Sequence, residues 1–307
     1  MDWQKTGAGM AGAGEPGSPA VPQWFQSALA DTPSSHFVAV LGCGIHYLRW
    51  GPAVSELPGI LFIHAGGANA QWWSFIAPYF AENRPVAAID LSGMGDSGRR
   101  ERYGSEFHVP EIAAVLAHAG LGGRPIVVGH SFGGFMALCY GNRHGGDIAG
   151  AVIVDSPLRA AAAEKANPTQ AYTRPKPVYP DQESILKRFR LGPAQPCKND
   201  FILDFIARNS VTQCAGGWTW KFDVAARGAA HFDEPLADYL KNMPCRKALV
   251  YGAESAMVTA EVAEYMANLF AADDPIIRIP AAHHHLILDQ PLAFVAALRE
   301  IFAGWGS

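Results

Sequence analysis

No apolar run in this chain of 307 residues reaches the ~18 that a membrane-spanning helix needs. Long basic runs are missing too, and the formal net charge is −4, which argues against nucleic acid as a main partner. Cysteine is sparse and unpatterned: Cys43, Cys139, Cys197, Cys214 and Cys245 are odd in number and contain no Cys-x-x-Cys pair. A disulfide framework and a structural zinc site are disfavoured, and reduced thiols in a reducing compartment are the default. Residues 1–33 are rich in Gly, Ala and Pro, lack periodicity and read as a disordered tail. Lys5 stands alone there and glycines interrupt the residues after it, so the basic start and unbroken apolar stretch of a signal peptide are not met. These absences point to a cytoplasmic protein with no membrane partner, and leave homo-oligomer formation open. There is no internal repeat, and no low-complexity region beyond the tail.

What is present is apolar sequence, 49% of the chain, enough for a sizeable core. Within the tail, residues 24–29 have the composition of a helical turn that docks on the body. Ordered structure is expected from about Phe37, with β-rich runs at 37–41 and 45–50 flanking Gly42-Cys43-Gly44 as a hairpin. Ile60-Leu61-Phe62-Ile63 and residues 86–89 are continuous apolar strands, the pattern of a sheet covered on both faces. Helices are expected over about 71–81, 109–119 and 132–143, with strands at 125–128 and 151–154 between and after them. Strands alternating with helices define an α/β class, a mostly parallel central sheet with helices on both faces. The alternation stops after Asp155 and resumes with a strand at 248–252, a helix at 260–270, a strand at 276–279 and a helix at 292–302. The stretch 157–243 is too long for a loop in a compact domain and reads as an inserted, mainly helical cap. The core is then 36–156 plus 244–307.

The organising stretch is Gly129-His130-Ser131-Phe132-Gly133, between an apolar strand and a helix. Gly-x-Ser-x-Gly in that context is a nucleophile elbow. A serine on so sharp a turn sits in a strained backbone. Its neighbours two positions away must lack Cβ atoms, and Gly129 and Gly133 do. The helix after the turn aims its first N–H groups at the place where an oxyanion would form. Serine is a weak nucleophile at neutral pH, so it needs a base in reach and a third group to orient that base.

The order of parts over residues 36–304 resembles the α/β-hydrolase fold, on four motifs taken together. His64-Ala65-Gly66-Gly67 is similar to that family's oxyanion loop. Residues 90–97 resemble its D-x-x-G-x-G-x-S loop, 129–133 its elbow, and 283–291 its late histidine loop. The resemblance implies the chain order Ser, acid, His. In similar proteins the base lies seven residues before the loop proline, here Pro291, which selects His284 from the run His283-His284-His285. The same run read as a metal site is disfavoured, because consecutive side chains diverge and no matching Cys/His cluster stands elsewhere. The acid departs from the family pattern, since its usual position holds Ser255. Asp155, at the end of the strand after the elbow helix, is preferred, as haloalkane dehalogenases place theirs there; Glu254 is the alternative. The resemblance assigns the oxyanion hole to the N–H groups of Phe132 and Gly66, with Ala65 standing where glycine is usual. His64 is expected to brace the oxyanion loop, His130 to be a packed or hydrogen-bonded elbow residue, and Asp96 to hold its own loop.

These expectations describe a serine hydrolase, esterase-like, acting on a small-molecule ester with an apolar acyl or aryl group. Trp72, Trp218 and Trp220 are the candidate pocket residues. A lactonase or C–C bond hydrolase would use the same set, and a non-catalytic ligand-binding hydrolase fold is the non-enzyme alternative. Dehalogenase and epoxide-hydrolase chemistry are disfavoured because relatives with those activities carry Asp where this chain has Ser131. Neither a cofactor nor a metal is called for.

Overall fold

The computed structural model describes residues 20–159, 176–228 and 234–306. The N-terminal residues 1–19 and the cap residues 160–175, to which the tail and cap readings extend, lie outside the described residues. One eight-stranded sheet carries the body. Its strands are β1 (Ser34–Val40), β2 (Cys43–Trp50), β3 (Ile60–Ile63), β4 (Val86–Ile89), β5 (Ile126–His130), β6 (Gly150–Val154), β9 (Arg246–Gly252) and β10 (Ile276–Ile279). Their spatial order is β1-β2-β4-β3-β5-β6-β9-β10. β1 and β2 form a hairpin, β2 joins β4 antiparallel, and every later pairing is parallel.

The continuous apolar runs follow from having no solvent face. Along β3, Ile60 and Phe62 point into one core and Leu61 and Ile63 into the other, and all four are fully buried. β6 repeats this, with Val152 and Val154 on the first side and Ala151 and Ile153 on the second. The C-terminal helix Pro291–Gly304 covers the first face. The helices Ser105–His118, Phe132–His144 and Ala260–Ala267 cover the second.

Three expectations need correction. The tail does not extend to residue 33, because Gln23–Ala30 is a helix whose Phe25 is buried and meets Phe201 at 5.0 Å between ring centres. The expected helix at 71–81 is two short 3-10 turns, Ala70–Trp73 and Ala77–Phe80. Pro78 has no N–H to continue an α-helical ladder, and the Asn69 side chain caps the first turn at Gln71 N. The insertion, finally, is not helical throughout. Besides the helices Gln182–Leu186 and Asp200–Asn209 it contains a hairpin, β7 (Val211–Cys214) with β8 (Gly217–Trp220). Its last helix, Leu236–Asn242, belongs to the body: Leu236, Leu240 and Met243 sit in the second core beside the helix Phe132–His144.

Candidate active site

The parallel strands end on one side of the sheet, and three of those ends carry the residues singled out by sequence. After β5 the chain turns through Ser131, whose φ of 53° and ψ of −114° are strained for an L-residue. The glycines flanking it at two residues are obligatory. A Cβ on Gly129 would lie 2.1 Å from the Gly133 carbonyl oxygen, and one on Gly133 would lie 2.4 Å from the Ile63 oxygen. Ser156 fixes the turn from the next strand end, donating from Oγ to the Ser131 carbonyl at 2.8 Å.

Asp155 follows β6 with φ 45° and is fully buried. It accepts from His284 Nδ1 at 2.8 Å and from Ser255 Oγ at 2.7 Å on one oxygen, and from the Gly252 N–H at 2.8 Å on the other. Of the two candidate acids, then, Asp155 is the one that touches His284. Glu254 is exposed and lies 3.4 Å from His283 instead. Ser255, at the position where similar proteins carry the acid, supports the carboxylate of Asp155. From sequence that serine reads only as a lost carboxylate. A hydroxyl paired with a relocated carboxylate is the signal that could have found its role.

The three adjacent histidines separate. His283 turns toward Asp289, donating its N–H to Oδ2 at 2.7 Å. His284 and His285 are both 2% exposed, with ring centres 4.8 Å apart. His130 joins them from the elbow, donating from Nε2 to the His284 carbonyl at 2.9 Å and thereby tying the serine turn to the histidine loop. Burial, then the charges of His284 and His285, hold the His130 pKa well below the usual imidazole range. Burial and then His284 push His285 down to about 3. A cap residue that sequence reasoning missed, Gln195, also grips this loop: its Oε1 accepts the His285 N–H at 2.8 Å and its Nε2 donates to Asp289 at 3.0 Å.

On the opposite side, His64 donates from Nδ1 to the Ala65 carbonyl at 2.7 Å and accepts the Leu91 N–H at Nε2, 3.1 Å away, so it braces the following loop as expected. In that loop Gly66 is exposed and lies against Phe132: a Cβ placed on Gly66 would sit 3.6 Å from the Phe132 Cβ. The loop 90–97 is held by Asp90, which accepts from Ala70 N, Asp96 N and His46 Nδ1. The carboxylate of Asp96 reaches instead to Lys221 of the cap at 2.7 Å, a correction to its expected local role.

A cavity of about 260 Å³ opens over the loop at residues 65–68, between it and the cap. Gly66, Trp72, Phe189, Trp220, Phe222 and His285 are among its walls. Trp72 and Trp220 stand there as expected, whereas Trp218 does not line it. Trp218 and Trp220 share a strand face, but residues two apart are about 6.6 Å apart along a strand, and only the nearer one reaches.

A mostly parallel sheet of this order, with serine on the turn after β5, a carboxylate after β6 and histidine after the last strand, defines an α/β hydrolase. The family model "Alpha/beta hydrolase family" matches residues 60–298, and the chain belongs to that family. Among relatives, it is 27% identical over 265 residues to "Esterase Rv0045c" of Mycobacterium tuberculosis, covering 84% of this chain and 86% of that one. It is 24% identical over 283 residues to "(Lyso)-N-acylphosphatidylethanolamine lipase" of Bos taurus, covering 81% of this chain and 80% of that one. In three dimensions it superposes on E-2-(acetamidomethylene)succinate hydrolase with a TM-score of 0.77 at 19% identity, over 88% of this chain and 99% of that one. At that identity the likeness speaks for the fold alone. No helix among the described residues is long and apolar enough to cross a membrane.

Proposed function

We propose that this chain is a serine hydrolase that cleaves carboxylic esters with an apolar acyl or aryl group. The observation that carries the reading is the buried Asp155–His284 hydrogen bond of 2.8 Å, anchored to the strained Ser131 turn through His130. Asp155 orients the ring so that Nε2 faces the reaction. Ser131 Oγ attacks the ester carbonyl while His284 Nε2 takes its proton, and Asp155 stabilises the imidazolium. The N–H groups of Phe132 and Gly66 receive the developing oxyanion. His284 then protonates the departing alcohol. Water, deprotonated by the same ring, releases the acid from the acyl-serine.

The walls of Trp72, Phe189, Trp220 and Phe222 support an apolar substrate group. The names of the two relatives, an esterase and a lipase, agree with ester cleavage. Free thiols at all five cysteines support a reducing, cytoplasmic setting.

A fluorophosphonate probe and a series of p-nitrophenyl esters of rising acyl length test the proposal. Wild-type protein should take up one probe and hydrolyse the esters, and Ser131→Ala should do neither. Labelling that persists in Ser131→Ala, or none in the wild type, would overturn it in favour of a ligand-binding fold. Labelling without ester turnover, but with turnover of lactones or β-diketones, would redirect it to those bonds.

A further inference from the structure

Resting on the serine-hydrolase reading above, we propose that Gln195, a cap residue, is a positioning residue for the base His284, and that the rate of hydrolysis depends on its hold. The feature that carries this is the peptide group joining His284 to His285. Its carbonyl oxygen accepts from His130 Nε2 at 2.9 Å, and its N–H donates to Gln195 Oε1 at 2.8 Å. A peptide group is planar and stiff, so fixing both its oxygen and its nitrogen removes the tilt that would swing the Cα of His284. The elbow supplies one of the two pins and the cap supplies the other.

Gln195 is itself oriented. Its Nε2 donates to Asp289 Oδ2 at 3.0 Å, the oxygen that also accepts the His283 N–H at 2.7 Å. An ionised carboxylate only accepts and a backbone N–H only donates, so the two partners dictate which end of the amide faces which. Glutamine carries the acceptor and the donor that this pair demands. A carboxylate at position 195 would face Asp289 with no proton to give. An apolar side chain would leave the N–H of the buried His285 without a partner.

The His284 ring has one further restraint, the 2.8 Å bond from Nδ1 to Asp155. A ring held at that nitrogen still pivots about it when the backbone shifts, and Nε2, on the far side, moves with the pivot. Proton transfer from Ser131 needs Nε2 within hydrogen-bond reach, and a misplacement of about 1 Å can cost ~100-fold in rate. Phe189, Leu191 and Gly192, earlier on the same cap segment, line the cavity, whereas Gln195 does not. Loss of Gln195 should therefore be read in kcat rather than in KM. Asn199, further along the segment, provides the contrast. It donates from Nδ2 to the Leu288 and Asp289 carbonyls at 2.7 and 3.3 Å, docking the cap on the same loop but away from the His284–His285 peptide.

The test compares full-length Gln195→Met, Gln195→Glu and Asn199→Ala with the wild type, by p-nitrophenyl ester kinetics, the rate of fluorophosphonate labelling and thermal melts. Gln195→Met keeps the length and removes both bonds. Gln195→Glu keeps the acceptor, sets two carboxylates face to face, and carries the test if the methionine variant does not fold. In each, kcat and the labelling rate should fall by about 10- to 100-fold, with KM within about twofold of the wild type. Asn199→Ala should lower the melting midpoint while kcat stays within about threefold. A raised KM with unchanged kcat in the folded Gln195 variants would make Gln195 a fastener of the cavity wall alone. A loss of kcat in Asn199→Ala as large as theirs would assign the effect to cap docking. Either result would overturn the positioning role, as would Gln195 variants that turn over and label like the wild type. A wild type that neither labels nor hydrolyses overturns the hydrolase reading instead, so the two failures are distinguishable.

Discussion

Asp155 accepts three hydrogen bonds, and the two from Gly252 and Ser255 fix it for the third, from His284. Replacing one carboxylate oxygen by an amide NH₂ leaves the shape and reverses one bond: the group turned toward Nδ1 or toward Gly252 N would then be a donor facing a donor. In the proposed mechanism Asp155→Asn selects the wrong imidazole tautomer, and kcat should fall on the order of 10⁴-fold. Glu254→Gln, which changes only an exposed contact with His283, should stay within about twofold. Saturating ester turnover by the two folded variants decides; the reverse ranking would move the acid to Glu254. The positions of Ser131 and His284 were legible because each is set by neighbours in sequence, a pair of glycines in one case and the spacing to a proline in the other. The choice of acid was legible only as a preference. It depends on whether the end of β6 or the end of β9 delivers its carboxylate to the histidine loop after β10, and the contact that forms, between Asp155 and His284, spans 129 positions.

At the scale of elements, the elbow is where strand and helix press hardest on one another. Gly133 opens the helix Phe132–His144 directly over the end of β3, where an added Cβ would meet the Ile63 and His64 carbonyl oxygens at 2.4 and 2.7 Å. Backbone on both sides cannot yield as a flexible side chain would, so Gly133→Ala must push the helix away from the sheet. Destabilisation of roughly 1–3 kcal/mol is expected from overpacking of this kind, read as a lower midpoint in urea with an unchanged slope. Wild-type stability in that variant would mean that the elbow is looser than its contacts require. The strands of the body could be read from their apolar runs because both faces are buried. The hairpin β7–β8 has the same local origin, alternating aromatics at Trp218, Trp220 and Phe222, but it sits in the insertion, where the expectation of helices masked a period of two. The paired 3-10 turns at 70–80 were missed for a different reason. Apolar spacing there suits a helix, and a single proline at position 78 decides against one.

Over the whole molecule, burial of neutral histidine sets the response to acid. His64, His130 and His285 have pKa values lowered from 6.5, with burial the first cause in each, and His285 is pushed to about 3. In the unfolded chain each titrates near its ordinary value of about 6.5. Between that value and the folded one, the unfolded chain binds protons that the folded chain refuses. Stability therefore falls as pH falls, by up to about 1.4 kcal/mol per pH unit for each such group. The buried carboxylates act in a lower window. Burial, the largest single effect, would raise Asp90 and Glu111, but the hydrogen bonds and charges of neighbouring groups together outweigh it, from His46, His64 and the Asp96 N–H in the first case and from His108 and Ser92 in the second, and both end below their ordinary values of 3.8 and 4.5. Their contribution is fully present above those unfolded values and is lost only as pH passes down through the folded ones. Loss of stability between about pH 6.5 and 5 thus belongs to the histidines. Urea unfolding at half-unit steps across that range should give a wild-type free energy that declines toward acid. In His285→Gln the decline should be shallower by about one proton's share. A wild-type curve flat over this window, or one whose slope the His285→Gln change leaves untouched, would show that these rings are protonated in the folded protein and that the packing around the histidine loop is wetter than its contacts imply.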